Sequence, residues 1–90
     1  MNVKIKWLRD QLGSLKLDGM IVSNPKNIKY LTGLSEEGTL VLASKENIFI
    51  TDGRYIESVN RHLTIDDEIV VYDSRELSKY DYESIFMLEE

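Results

Sequence analysis

The segment Ile48–Tyr55 constrains the fold of this chain more than any other feature. Residues 48–50 form an uninterrupted run of apolar, strand-favouring residues, which suits a strand covered on both faces of a layered domain. Asp52 can then cap a following helix, and Gly53 permits a sharp turn at the junction. The segment therefore predicts a buried strand, a tight junction and a helix that begins near Arg54.

The rest of the chain predicts helices and strands that alternate around this junction. Apolar residues at three- and four-residue spacing predict an amphipathic helix over 1–15, with Trp7 at the edge of its apolar stripe. Ser23 or Asn24 can cap a short second helix, Pro25 marks its start and Gly33 marks its end. Apolar runs predict further strands; they lie at 20–22, 39–43 and 68–72, and the second forms a hairpin with 48–51.

A fourth helix is expected after the last of these strands. Asp73 or Ser74 can cap it, and apolar residues recur near helical spacing from Leu77 to Leu88. The alternation as a whole predicts an α/β fold in which helices flank a mixed β-sheet.

The composition argues against several classes of function. Zero cysteines exclude disulfides and thiolate metal sites and fit a reducing compartment. Eleven basic and sixteen acidic residues give a net charge of −5, which disfavours binding to phosphate backbones. No apolar run approaches the about 20 residues of a membrane span, and the N-terminus has no signal-peptide core. We therefore expect a cytoplasmic protein that binds neither nucleic acid nor membrane.

No catalytic constellation is evident in the sequence. The single histidine, His62, falls near a predicted helix end and is interpreted as a surface residue. The acidic runs 66–68 and 36–37 are interpreted as solvated turns, because adjacent acids diverge and rarely converge on one ion. The serines lie in caps, turns and helix surfaces, without the base that a nucleophile needs. We expect no catalytic residue and no metal ligand in this chain.

Three residues each allow two interpretations. Arg54 can pair with Asp52 at the surface, or its planar guanidinium can reach a carboxylate of a partner. Tyr55 and Tyr30 can either pack in the core or contact a partner, and packing is favoured for Tyr55.

Three motifs follow one another at 27–33 (Asn-Ile-Lys-Tyr-Leu-Thr-Gly), 38–42 (Gly-Thr-Leu-Val-Leu) and 51–55 (Thr-Asp-Gly-Arg-Tyr). In order and spacing they resemble the N-terminal domain of the creatinase/prolidase/Xaa-Pro aminopeptidase family, and most of all the bacterial Xaa-Pro dipeptidases and aminopeptidases. The resemblance covers nearly the whole chain. It implies a ribonuclease-H-like creatinase N-terminal domain over residues 1–90, cut before its last strand, with the pita-bread catalytic domain absent.

The resemblance implies the non-catalytic part of a proline-specific metallopeptidase. In such enzymes the catalytic domain holds two divalent metal ions, with manganese expected here, and the metals activate a water molecule. The N-terminal domain would contact its own catalytic domain and a second subunit, and would restrict the active site to short proline-containing peptides. The alternative is a non-catalytic peptide- or protein-binding module of the same fold.

The resemblance also assigns substrate-gating or interface roles to particular positions. Two departures bear on them, since Leu34 stands where the family usually has an aromatic residue, and 36–37 are glutamates where its loop is often glycine-rich. The expected stacking contact and the preference for one substrate end are therefore open. The resemblance assigns such roles to Asn27, Tyr30, Arg54 and the loop 33–38, with Leu34, Ser35 and Glu36, and Tyr55 is a further interface candidate.

Overall fold

The computed structural model describes residues 2–43, 46–77 and 87–89. Helices and strands alternate along these ranges, as the sequence predicts. The helices are α1 (Val3–Ser14), α2 (Pro25–Thr32) and α3 (Ile56–His62), and two single 3₁₀ turns cover Gly53–Tyr55 and Ile65–Asp67. The strands are β1 (Gly19–Val22), β2 (Gly38–Leu42), β3 (Asn47–Thr51), β4 (Ile69–Asp73) and β5 (Met87–Glu89).

The described strands form one mixed sheet in the order β4-β3-β2-β1-β5. Strand β2 pairs antiparallel with both β1 and β3, so the predicted hairpin is confirmed. The two outer pairs, β3 with β4 and β1 with β5, are parallel. The predicted α/β fold with a mixed sheet and flanking helices is therefore confirmed. In the described ranges, no helix is both long and apolar enough to cross a bilayer.

The central strands β1, β2 and β3 are buried on both faces, where their apolar residues form two clusters. On one face the strands pack against all three helices, and this cluster includes Ile5 of α1, Leu31 of α2 and Val59 of α3. Phe49 points to this face, whereas its neighbours Ile48 and Ile50 point to the other. The prediction that 48–50 form a strand covered on both faces is confirmed.

Helix α1 begins with a cap that also ties it to α2. Asn2 accepts a hydrogen bond from the Ile5 N–H at 3.1 Å and donates from its amide to the Leu31 carbonyl at 2.6 Å. The apolar stripe predicted to continue to Leu15 ends earlier. The helix stops at Ser14, and Leu15 is exposed because the chain reverses at Lys16 with a φ of 59°.

Local signals set the ends of α2 as predicted. The Asn24 side chain accepts from the Lys26 N–H at 2.9 Å, and Pro25 occupies the first turn, where its missing N–H costs nothing. Gly33 ends the helix at a φ of 80°, a conformation that glycine adopts without strain. Its N–H donates to the Lys29 carbonyl at 2.8 Å.

The junction after β3 forms where the sequence places it. Asp52 accepts from the Arg54 N–H at 3.0 Å and so caps the segment that follows. The first turn, Gly53–Tyr55, is a 3₁₀ turn, and the α-helix begins at Ile56. The predicted helix is thus in the right place, with a tighter first turn than expected.

The predicted fourth helix is wrong at its C-terminal end. Asp73 does cap a turn, since it accepts from the Arg75 N–H at 2.9 Å. Residues 78–86 lie outside the described part of the chain. Leu88, assigned to the helix by its spacing, belongs instead to β5, which pairs in parallel with β1. A hydrogen-bonding partner distant in sequence thus overrides the local periodicity.

Candidate functional site

One end of the sheet brings together most of the predicted site residues. Gly38, the first residue of β2, pairs with Thr51, the last residue of β3, so the loop before β2 meets the junction after β3. The Thr51 hydroxyl donates to the Glu37 carbonyl at 2.6 Å and fixes the loop there. Leu34 is fully buried in the core, and Tyr55 packs against the same cluster. The favoured interpretation of Tyr55 as a packing residue is confirmed.

Glu36 ties this loop to α3. Its side chain is only 10% exposed, and Oε2 accepts from the Ser58 hydroxyl at 2.8 Å and lies 3.3 Å from His62 Nδ1. Oε1 accepts from the Ser35 N–H at 3.1 Å. The interpretation of 36–37 as a solvated turn is therefore wrong for Glu36 and holds for Glu37, which is exposed.

The carboxyl group of Glu36 is held in its ionised form. Burial raises its pKa, but the Ser58 hydroxyl, two backbone N–H groups and the charge on His62 together lower the pKa below the ordinary value. The sequence signal for this contact is the spacing of Ser58 and His62, which places a hydroxyl and an imidazole one turn apart on α3. His62 itself is largely exposed at the helix end, as interpreted from the sequence.

Arg54 projects from the junction into solvent. Its side chain is 71% exposed, its Nε lies 3.5 Å from Asp52 Oδ1, and its guanidinium carbon lies 5.0 Å from the Tyr55 ring centroid. An ion pair this exposed contributes little to stability. The surface pairing predicted for Arg54 is therefore present, and the guanidinium stays accessible. Contact with a partner remains a prediction.

An ion pair that the sequence analysis missed lies beside this junction. Asp73 ends β4 next to Thr51, and its buried carboxylate accepts from Arg75 Nη2 at 2.7 Å and Nε at 3.2 Å. Hydrogen bonds from Arg75 lower the pKa of Asp73. Gly53 leaves room for this pair, since a Cβ at that position would lie 2.5 Å from Asp73 Oδ2. The available signal is an arginine two residues after an aspartate that ends a strand.

Asn27 and Tyr30 lie apart from this end of the sheet. They line one side of a groove between α1 and α2, with a volume of about 420 Å³, and Trp7 of α1 lines the other side. Trp7 is 63% exposed and Tyr30 65%. Lys4 bridges the helices, because its Nζ donates to the Tyr30 carbonyl at 3.1 Å and lies 4.2 Å from the ring centroid. The structure thus divides the predicted residues into two surfaces.

A two-metal site needs several His, Asp or Glu side chains that converge on the ions. Within 2–43, 46–77 and 87–89, no group of three or more His, Cys, Asp or Glu side chains is placed to hold a metal ion. Glu36 and Asp73, the two buried carboxylates described above, face a serine and an arginine respectively. These residues do not fit the two-metal centre that the resemblance implies for the catalytic domain.

Several solved structures share this fold. The chain is similar to the creatinase/prolidase N-terminal domain of an X-Pro dipeptidase from Streptococcus pyogenes, with a TM-score of 0.74 and 16% identity over 100% of this chain and 77% of that chain. It is similar to the N-terminal domain of the cytoplasmic peptidase PepQ from Mycobacterium tuberculosis H37Rv, with a TM-score of 0.69 and 28% identity over 89% of this chain and 62% of that chain. An Xaa-Pro dipeptidase from Bacillus anthracis matches with a TM-score of 0.67 and 19% identity over 97% of this chain and 32% of that chain.

The sequence comparisons agree with the structural ones. The chain is 38% identical over 56 residues to the uncharacterized peptidase YqhT of Bacillus subtilis (strain 168). The aligned region covers 61% of this chain and 16% of that relative, so the match spans a small part of the longer protein. The family model described as the creatinase/prolidase N-terminal domain matches residues 4–87. The chain therefore belongs to the creatinase/prolidase N-terminal domain family.

Proposed function

We propose that this chain is the non-catalytic N-terminal domain of a proline-specific metallopeptidase, an Xaa-Pro dipeptidase or aminopeptidase. The match to the Bacillus anthracis Xaa-Pro dipeptidase carries the proposal, because 97% of this chain corresponds to 32% of that chain. Because this domain corresponds to only part of such an enzyme, the catalytic residues can belong to a second domain. In this proposal the two divalent metal ions, with manganese expected, belong to that second domain.

Within the enzyme, this domain would help to assemble the dimer and to limit access to the active site. The loop 34–37 is suited to form a wall, since Glu36 bonds to α3 and the Glu37 carbonyl bonds to Thr51. Arg54, at the same end of the sheet, offers an exposed guanidinium that can bind a carboxylate of a peptide or of a neighbouring subunit. The partners are thus the catalytic domain, a second subunit and short proline-containing peptides.

A cytoplasmic location belongs to the same proposal. It is supported by the likeness to the N-terminal domain of a peptidase that is described as cytoplasmic. Zero cysteines also fit a reducing compartment.

The test compares residues 1–90 with the product of the full reading frame. Each purified protein is assayed with manganese on an Xaa-Pro dipeptide and on a longer Xaa-Pro peptide. We expect turnover by the full-length protein, with its metal bound, and none by residues 1–90. Hydrolysis by residues 1–90 alone would contradict the assigned roles, as would a full-length protein that binds metal but cleaves neither substrate.

The second candidate function is a non-catalytic peptide- or protein-binding module. The exposed aromatic side chains of Trp7 and Tyr30 favour it, because exposed aromatic residues are frequent in binding sites. The same assay separates the two candidates. A full-length protein that lacks metal and turnover but retains peptide binding would support the binding module.

A further inference from the structure

The groove between α1 and α2 has the shape and lining of a docking site. Its floor is formed by Met20 and Val22 of β1, and its walls include Leu8 and Leu31 on the two helices. A volume of about 420 Å³ is large enough for one or two bulky side chains. The groove therefore offers an apolar pocket at the molecular surface, continuous with the core that the three helices cover.

The rim of this groove is unusually apolar for a protein surface. Val3, Trp7 and Tyr30 line it, and all three are exposed large side chains. Contiguous exposed patches of this kind mark interaction sites more often than single exposed residues do. Aromatic residues beside an apolar pocket are also frequent anchors of protein interfaces.

The charge beside the groove has the opposite sign to the net charge of −5 on the whole chain. Among the described residues that line the groove, Lys4 is the charged one and none is acidic. Lys6 and Arg9, also on α1, line a different pocket and do not contribute to this surface. Lys4 lies in the groove wall, and Lys26 lies one turn before Tyr30 on α2. A partner that approaches this surface therefore meets two lysine side chains on a molecule of negative net charge.

We propose that the α1–α2 groove docks an acidic polypeptide segment that inserts a bulky apolar side chain between Trp7 and Tyr30. The apolar floor would hold the inserted side chain, and the lysines would attract the acidic flanks. A second copy of the chain fits less well, because a two-fold contact through this surface would place like charges opposite one another. The proposal goes beyond the peptidase function proposed above and does not depend on whether the parent protein cleaves peptides; it names the partner of the surface that favours the second candidate.

The chain supplies its own reporter, since Trp7 is the single tryptophan and lies in the groove. The probes are two short peptides with the same leucine- and phenylalanine-containing centre, one flanked by glutamates and one by lysines. We expect the glutamate-flanked peptide to shift the emission of Trp7 to shorter wavelength in a saturable way. Its affinity should fall roughly threefold or more as salt is raised to screen the charges.

Two substitutions separate the apolar from the electrostatic contribution. Tyr30→Ala should weaken binding about tenfold, as expected for an aromatic anchor, whereas Ile65→Ala, at a side chain 93% exposed outside the groove, should leave it unchanged. Lys26→Glu should weaken the binding of the glutamate-flanked peptide and strengthen the binding of the lysine-flanked peptide. Arg61→Glu makes the same charge change on α3 and should leave the binding of both peptides unchanged. Circular dichroism checks that each variant is folded.

Three results would overturn the proposal. One is equal binding of both peptides, which would remove the electrostatic argument. Another is the absence of any emission shift with the glutamate-flanked peptide up to about millimolar concentration. The third is self-association of the free chain in sedimentation that Tyr30→Ala abolishes, since it would show that the groove is occupied by a second copy.

Discussion

Two aspartates at the ends of neighbouring parallel strands organise the junction at residue scale. Asp52 and Asp73 each accept a hydrogen bond from the backbone N–H two residues later, in Arg54 and Arg75 respectively. The cap at Asp52 was predictable because an Asp-Gly pair directly follows an apolar run. The position of the Asp73–Arg75 ion pair next to Gly53 was not predictable, because it depends on the parallel register of β3 and β4.

Gly53→Ala is expected to destabilise the protein by about 1–3 kcal/mol, the usual cost of forcing a group into a packed site. The new Cβ would lie 2.5 Å from Asp73 Oδ2 and 3.0 Å from Arg75 Nη2, so the ion pair would have to move. The measurement is the free energy of unfolding in urea.

Gly13→Ala is the matched control in the same experiment. Gly13 lies within α1, and a Cβ there would meet nothing within 4 Å, so alanine should stabilise the helix by about 0.5–1 kcal/mol. If Gly53→Ala were as stable as the natural chain, the close approach of Asp73 to the backbone would have no energetic consequence.

At the scale of elements, prediction succeeds where the signals are local. The ends of α2 follow from Asn24, Pro25 and Gly33, which act within a few residues of the helix itself. It fails where a distant partner decides the outcome. Leu88 has helical spacing, but its strand pairs with β1. Glu36 was interpreted as a surface residue, but it accepts a hydrogen bond from Ser58 of α3, 22 residues away. The same limit applies to the candidate residues. The sequence alone could not show that Asn27 and Tyr30 lie at the α1–α2 groove while the others lie at the end of the sheet.

The contact of Glu36 with α3 predicts a dependence of stability on pH. Its pKa is lowered on folding, so the ionised carboxylate stabilises the fold above the ordinary value of about 4.5. This contribution should be lost as the pH falls through the lowered pKa. At neutral pH, Glu36→Gln should cost about 1–2 kcal/mol, because neutral hydrogen bonds replace charge-assisted ones.

The decisive comparison is the free energy of unfolding measured across the acidic range for three proteins. Glu36→Gln should flatten the acid-side slope relative to the natural chain. Glu37→Gln removes a neighbouring exposed carboxylate and should leave the slope nearly unchanged. Equal slopes in all three would show that the bond to Ser58 does not hold the carboxylate ionised.

At the scale of the whole molecule, the candidate residues lie on two different surfaces. The end of the sheet carries Glu36, Arg54 and Asp73, and the α1–α2 groove carries Trp7 and Tyr30. The two sets share no described contact, and substitutions at independent sites usually have additive effects. A change at one surface should therefore leave the function of the other intact, which allows each proposed role to be tested alone.

Arg54→Ala in the full-length protein tests the gating and assembly role in this way. The Arg54–Asp52 pair is exposed on both sides, so its loss should change the free energy of unfolding by less than about 1 kcal/mol. If the guanidinium binds a substrate or a second subunit, its removal should instead change function. We expect KM for an Xaa-Pro dipeptide to rise several-fold or the dimer to weaken. Bound metal, measured by elemental analysis, should stay constant, because this chain supplies no ligand in the proposed arrangement.

Arg61→Ala, on the exposed side of α3, is the matched control. Loss of metal on Arg54→Ala, or an equal rise in KM on Arg61→Ala, would contradict a specific contact at the junction.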